Sequence, residues 1–193
     1  MKDLIKQELQ QSHDLLTEFM NNETNIGEIW CAANTMIESI KKGNKIIACG
    51  NGGSMSDAMH FASELTGKLR DDRDPIAAVA ISDPGHISCV GNDYGYDQVF
   101  ARWIKAHGKQ GDVLLAISTS GNSENVAQAV AAALSLDMHV VFLSGRNGGL
   151  VRLMLEITDV EINVDYGGPS SFIQEIHIKI IHILCLLIEQ GIK

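Results

Sequence analysis

The chain lacks a Cys-x-x-Cys pair, a basic tract and an apolar amino-terminal core, and each absence narrows what it can be. Cys31, Cys49, Cys89 and Cys185 are too widely spaced for a zinc knuckle or a disulfide frame and read as buried, reduced thiols. Fifteen Lys and Arg face 24 Asp and Glu, and the formal net charge of −9 excludes a broad nucleic-acid-binding face. A small anion is not excluded, because it answers to local N–H groups rather than to net charge. Residues 1–7 lack the apolar core of a secretory signal. The greasiest stretch, 176–188, is interrupted by His177, Lys179 and His182 and is not read as membrane-spanning. A cytoplasmic protein is expected. With 193 residues, 45% of them hydrophobic, and no low-complexity segment or long linker, the expectation is one domain over 1–193.

What is present begins with helical periodicity over 1–42. Leu4, Leu9, Leu16 and Phe19 belong to a first helix, Asn21 and Asn22 to a break, and Ile26, Ile29, Ala33, Met36, Ile37 and Ile40 to a stripe on a second. This helical hairpin either covers the core or packs against a neighbouring subunit. From Lys45 onward short apolar runs at 45–49, 77–81, 112–117, 139–143 and 160–164 alternate with helical patterns near 55–68, 97–107, 124–136 and 150–155. Continuous apolar strands separated by helices predict an α/β fold: a five-stranded parallel sheet covered on both faces, a three-layer sandwich. Ligands in such folds gather beyond the carboxyl ends of the strands.

Two strand ends stand out. Leu114-Leu115-Ala116-Ile117 runs into Ser118-Thr119-Ser120-Gly121-Asn122-Ser123, then into a helical pattern from Glu124. Ile47-Ala48-Cys49 runs likewise into Gly50-Asn51-Gly52-Gly53-Ser54. Hydroxyls and free backbone N–H groups at the mouth of a helix suit a phosphate group without any lysine. Neither loop is a nucleotide motif. Met55 stands where a dinucleotide fingerprint wants its third glycine, and no Gly-Lys-Ser/Thr ending follows. Ser118 occupies the position at which a hydrolase nucleophile elbow needs glycine. No nucleotide cofactor is expected.

Titratable candidates follow the glycine loop. His60 and Glu64 are four apart on one helical face, either a solvent-facing pair or metal ligands or a base with its partner. The last helix, from about 171 to 184, carries Gln174, His177 and His182; Gln174 and His182 share a side, whereas spacing alone does not choose between the two histidines.

Taken together, Cys49-Gly50-Asn51-Gly52-Gly53-Ser54, Asp57-Ala58-Met59-His60-Phe61, Glu64-Leu65-Thr66-Gly67, Ser82-Asp83, residues 86–93, residues 111–123, Ile173-Gln174-Glu175-Ile176-His177-Ile178-Lys179 and Ile181-His182-Ile183-Leu184 resemble the bacterial sedoheptulose-7-phosphate isomerases, or phosphoheptose isomerases, of sugar-isomerase (SIS) fold. The resemblance covers essentially the whole chain. It implies a homotetramer that converts sedoheptulose 7-phosphate to D-glycero-D-manno-heptose 7-phosphate for lipopolysaccharide. It further implies substrate contacts from Asn51, Gly52, Gly53, Ser54, Glu64, Asn92, Asp93, Ser118, Thr119, Ser120, Ser123 and Gln174, and catalysis by Glu64 and His182. Zinc, one ion per subunit, would be held by His60, Glu64, Gln174 and His182. Asp93 also fits a plain Asn-Asp-x-Gly turn.

The chain departs from many relatives in two places: Ser171-Phe172 replaces a pair ending in arginine, and Lys68 stands where some have arginine. The alternatives are a noncatalytic SIS-fold protein of the DnaA initiator-associating type, a phosphosugar sensor, or an isomerase of another phosphosugar. The first of these lacks the residues matching Glu64 and His182, both of which are here.

Overall fold

The computed structural model describes residues 1–193. Helices α1 (Lys2–Met20) and α2 (Glu23–Lys41) form the predicted hairpin, broken where the Asn22 side chain accepts from the Thr24 N–H and caps α2. Strands β1 (Ile46–Gly50), β2 (Ala78–Ala80), β3 (Val113–Ser118), β4 (His139–Gly145) and β5 (Val160–Val164) follow, with α3 (Gly53–Thr66), α4 (Pro84–Tyr94), α5 (Val99–His107), α6 (Glu124–Leu134), the short α7 (Gly149–Arg152) and α8 (Ser170–Gly191) around them. All four strand pairings are parallel, in the order β2-β1-β3-β4-β5.

Successive strand residues face opposite layers, so the apolar runs build two cores. Ile46, Ala48, Val113, Leu115 and Ile117 pack with α2, α3 and α8. Ile47, Cys49, Leu114, Ala116 and Phe142 pack with α5 and α6 on the other face. The three-layer sandwich expected from the sequence is the fold observed. Helix α8 is long and apolar enough to cross a membrane by composition, yet half of its most apolar window is buried, with Ile173, Ile180, Ile181, Leu184 and Ile188 in the first core.

The structure revises four expectations. Helix α4 was not foreseen: Asp83-Pro84-Gly85 reads as a turn, but Asp83 caps the His86 N–H and proline opens the helix. Asn92 and Asp93 therefore sit on the last helical turn, before Gly95 at φ +96, rather than in a turn of their own. The pattern at 150–155 shrinks to four residues of helix, and 97–107 begins as a 3-10 turn at Tyr96–Gln98. Only Cys49 and Cys185 are buried, both pushed up to about 12 by desolvation; Cys31 and Cys89 are exposed. Leu4, Ile5, Leu9 and Leu16 are exposed, so α1 turns most of its apolar residues away from its own chain, and Ile26 at the start of α2 is exposed as well.

One buried ion pair ties α8 to the carboxyl end of α3. Arg73 donates to the Glu64, Leu65 and Gly67 carbonyls at the end of α3, and pairs with Glu189 of α8 at 3.0 Å. A guanidinium suits a helix carboxyl end, where carbonyls lack N–H partners.

Candidate active site

The serine loop is set by the end of β3. Ser118 is buried, and its Oγ lies 3.1 Å from Ser123 Oγ and accepts from the Gly121 N–H. Ser123 is the N-cap of α6, but its hydroxyl does not cap; it turns back to Ser118. The backbone N–H groups of Thr119, Ser120, Ser123, Glu124 and Asn125 donate to no acceptor in the chain. Unpaired N–H groups and hydroxyls thus lie together at the positive end of α6, an arrangement that suits an anion. Gly121 is required here: at φ +66 any Cβ would strike the Gly148 carbonyl of the loop after β4.

The glycine loop lies beside it, because Gly50 pairs with Ile117 across the β1–β3 ladder. Gly52 turns the chain at φ +54, and α3 starts at Gly53. A Cβ on Gly53 would stand 2.5 Å from Gln174 Nε2, so the absence of a side chain is what lets α8 lay its amide on this loop. Ser54 is buried, with its backbone N–H given to the Asn51 carbonyl. Asn51 is also held by side chains from elsewhere in the chain. Its side chain exchanges two hydrogen bonds of 2.8 Å with Asn125, and its Oδ1 also accepts from the Tyr96 hydroxyl.

Helices α3 and α8 meet at the titratable group. His60 Nε2 lies 3.3 Å from Glu64 Oε1 and 2.9 Å from His182 Nε2, and the two rings stand edge to face. Ligand atoms of His60, Glu64 and His182 all fall within 4.8 Å of one another. Two imidazole nitrogens can approach so closely only if one carries a proton between them or both point at a cation. Two imidazoles and a carboxylate are a fitting donor set for a divalent transition metal. Asp57, one turn earlier on α3, is pushed up to about 6 by burial, against the pull of His60, and its Oδ2 has no hydrogen-bond partner.

His177 is a core residue. It is fully buried, its Nε2 donates to the Ser144 carbonyl at 2.9 Å, and desolvation holds its imidazole down to about 4. The structure thus selects His182 over His177. Asn92 and Asp93 are exposed and bond to each other, with Cys89 Sγ near Asp93; their chain reaches the loops through Tyr96. Phe172 is buried edge-to-face on Tyr166, so that departure from the relatives lies in the core, while Ser171 and Lys68 are exposed. The largest cavity, about 730 Å³, lies elsewhere, between α1, α2 and the ends of β4 and β5; its lining includes Glu18, Arg146 and Asp165 but none of the residues just described. The converging donors mark the site better than the concavity does. Asn125, Tyr96 and Asp57 were not singled out from sequence; only Asp57 left a trace, three residues before His60 on one helix face.

Parallel strands with serine- and glycine-rich loops at their carboxyl ends and a His–Glu–His cluster beside them suit a phosphosugar-handling protein of the sugar-isomerase class, and the SIS domain model matches residues 9–145. The chain is 52% identical over 189 residues to the phosphoheptose isomerase of Enterobacter sp. strain 638, covering 98% of this chain and 97% of that one. The solved phosphoheptose isomerases of Neisseria gonorrhoeae and Francisella tularensis superpose with TM-scores of 0.92 and 0.93, at 42% and 38% identity, covering 98% and 97% of both chains. The chain belongs to the phosphoheptose isomerase family.

Proposed function

We propose that this chain converts sedoheptulose 7-phosphate to D-glycero-D-manno-heptose 7-phosphate, supplying heptose for lipopolysaccharide. The observation that carries the reading is the His60–Glu64–His182 cluster, with contacts of 3.3 and 2.9 Å, on helices packed beside an anion cradle. The phosphate is assigned to Ser118, Thr119, Ser120 and Ser123. Asn51, Gly52, Gly53, Ser54, Asn92, Asp93 and Gln174 are assigned to the sugar.

Isomerisation moves hydrogen between two carbons without net redox change. Glu64 takes a proton from carbon 1 of the ketose, leaving an enediol, and returns it to carbon 2. His182 relays the proton from the carbon 1 hydroxyl to the carbon 2 oxygen, which starts as a carbonyl. Each such acid–base contribution is worth about a hundredfold to ten-thousandfold. Imidazole titrates in the range that lets it both give and accept near neutrality.

Zinc is the metal we assign to His60, Glu64, Gln174 and His182, one ion per subunit; a carboxylate that holds the ion is a weaker base, so metal binding and proton abstraction by Glu64 compete. When bound it polarises oxygen as a Lewis acid. Exposed Leu4, Leu9 and Leu16 on α1 support association of copies of this chain, which we assign as a homotetramer on the family resemblance, and the sequence reading supports a cytoplasmic location.

The test is a coupled assay with sedoheptulose 7-phosphate on wild type, Glu64→Gln and His182→Ala. Turnover by wild type with at least a hundredfold loss in each variant is the expected result. No turnover of any phosphorylated ketose, or full activity in both variants, refutes the assignment. Chelation with elemental analysis separates the metal question, since full activity in metal-free protein removes zinc from the mechanism.

A further inference from the structure

The two ligand loops belong to adjacent strands, held in register by Gly50 against Ile117. Beyond the sheet they are joined again. Asn51 Nδ2 donates to Asn125 Oδ1 and Asn125 Nδ2 donates to Asn51 Oδ1, both at 2.8 Å, in a closed amide pair. Asn125 is buried in the first turn of α6, and the Tyr96 hydroxyl donates to Asn51 Oδ1 at 3.1 Å. Both lone pairs of Asn51 Oδ1 are thus engaged, and of the Asn51 side chain only one carboxamide N–H is left for a ligand.

We infer that Asn125 is a positioning residue, which through Asn51 fixes the distance between the serine loop and the helix that carries the acid/base groups. The inference rests on the isomerase reading above. A sugar phosphate anchored at the serine loop must bring its first two carbons to Glu64 and His182, which ride on α3 and α8. Asn51 lies two residues ahead of α3 and Asn125 is the second residue of α6, so the amide pair spans these anchorages. A closed pair specifies separation and orientation together, as a single hydrogen bond does not. Tyr96 draws the end of α4, with Asn92 and Asp93, onto the same junction.

A misplacement of about 1 Å is enough to cost roughly a hundredfold in rate while leaving the anchor itself intact. The perturbation is Asn125→Leu, which roughly keeps volume, removes both hydrogen bonds to Asn51 and adds no charge beside the anion cradle. Asn125→Ser removes the same pair with a small polar side chain.

The measurements are kcat and KM for sedoheptulose 7-phosphate and the inhibition constant of inorganic phosphate, on the full-length protein. Each variant is expected to lose about ten- to a hundredfold in kcat, with phosphate inhibition within twofold of wild type. Four outcomes overturn the inference. Unchanged kcat shows that the pair does not position. Loss of phosphate inhibition in step with kcat makes the Asn125 side chain, and not only its backbone N–H, part of the cradle. Insolubility of both Asn125→Leu and Asn125→Ser makes the pair a scaffold of the fold. Inactive wild type removes the isomerase reading and this inference with it, whereas active wild type with unchanged variants removes the inference alone.

Discussion

His177 should make the protein sensitive to acid from the inside. Its imidazole is fully buried and held down to about 4, against an ordinary value of 6.5, by desolvation that outweighs its bond to the Ser144 carbonyl. The sign follows from proton counting. Below pH 6.5 the unfolded chain binds a proton at this histidine and the folded chain does not, so stability falls with falling pH until about pH 4, where the folded form also protonates. A depression of this size corresponds to about 3 kcal/mol across the full window, of which about 2 kcal/mol is lost between pH 7 and pH 5. That is a sizeable part of the roughly 5–15 kcal/mol that holds a domain together. His177→Gln keeps an N–H donor toward Ser144 and cannot titrate. Urea unfolding of both proteins at pH 7, 6 and 5, at one fixed protein concentration, reads the difference. The wild-type midpoint should fall by roughly 1 M more than that of the variant over this range, for a urea slope of about 2 kcal/mol per molar. Parallel pH dependences in the two proteins would refute the reasoning, because burial would then impose no cost on the charged ring.

Arg73→Met should destabilise by about 3–5 kcal/mol, because Glu189, 1% exposed, is left charged and unpaired; adding Glu189→Leu should restore part of the loss, and thermal melts of the three proteins decide. Ser123→Ala should raise KM for the sugar phosphate roughly ten- to hundredfold, the worth of one hydrogen bond to a charged group, with kcat little changed in steady-state assays. Gly53→Ala should evict the Gln174 amide and abolish most activity, while circular dichroism stays native, since the group displaced is the end of a flexible side chain. Leu9→Ser, on the exposed face of α1, should lower the assembly mass seen by light scattering without unfolding the monomer.

Sheet and site were unequally legible in the chain. The central strands β1, β3 and β4 are apolar runs buried on both faces and the edge strands β2 and β5 are shorter, partly exposed runs, a signal local enough to place all five to within about two residues. Helix α4 was hidden because Pro84, Gly85, Gly91 and Asn92 all disfavour helix interiors, and a cap plus tertiary packing overrides them. The serine loop was visible from its hydroxyls, and His60 with Glu64 from their four-residue spacing. Choosing His182 over His177 needed the direction in which α8 faces the sheet, which periodicity on so apolar a helix does not reveal. For Asn51 a substrate contact is what the family resemblance implies; its engagement with Asn125 crosses 74 residues and leaves no local mark.

The strand order β2-β1-β3-β4-β5 has one more consequence. The chain winds outward from β1 in one direction and from β3 in the other, so α3 and α6 leave the same line for opposite faces of the sheet. The two covering layers behave like the boards of a book whose spine is the β1–β3 ladder. A ligand seated at the strand ends therefore meets loops that belong to both boards.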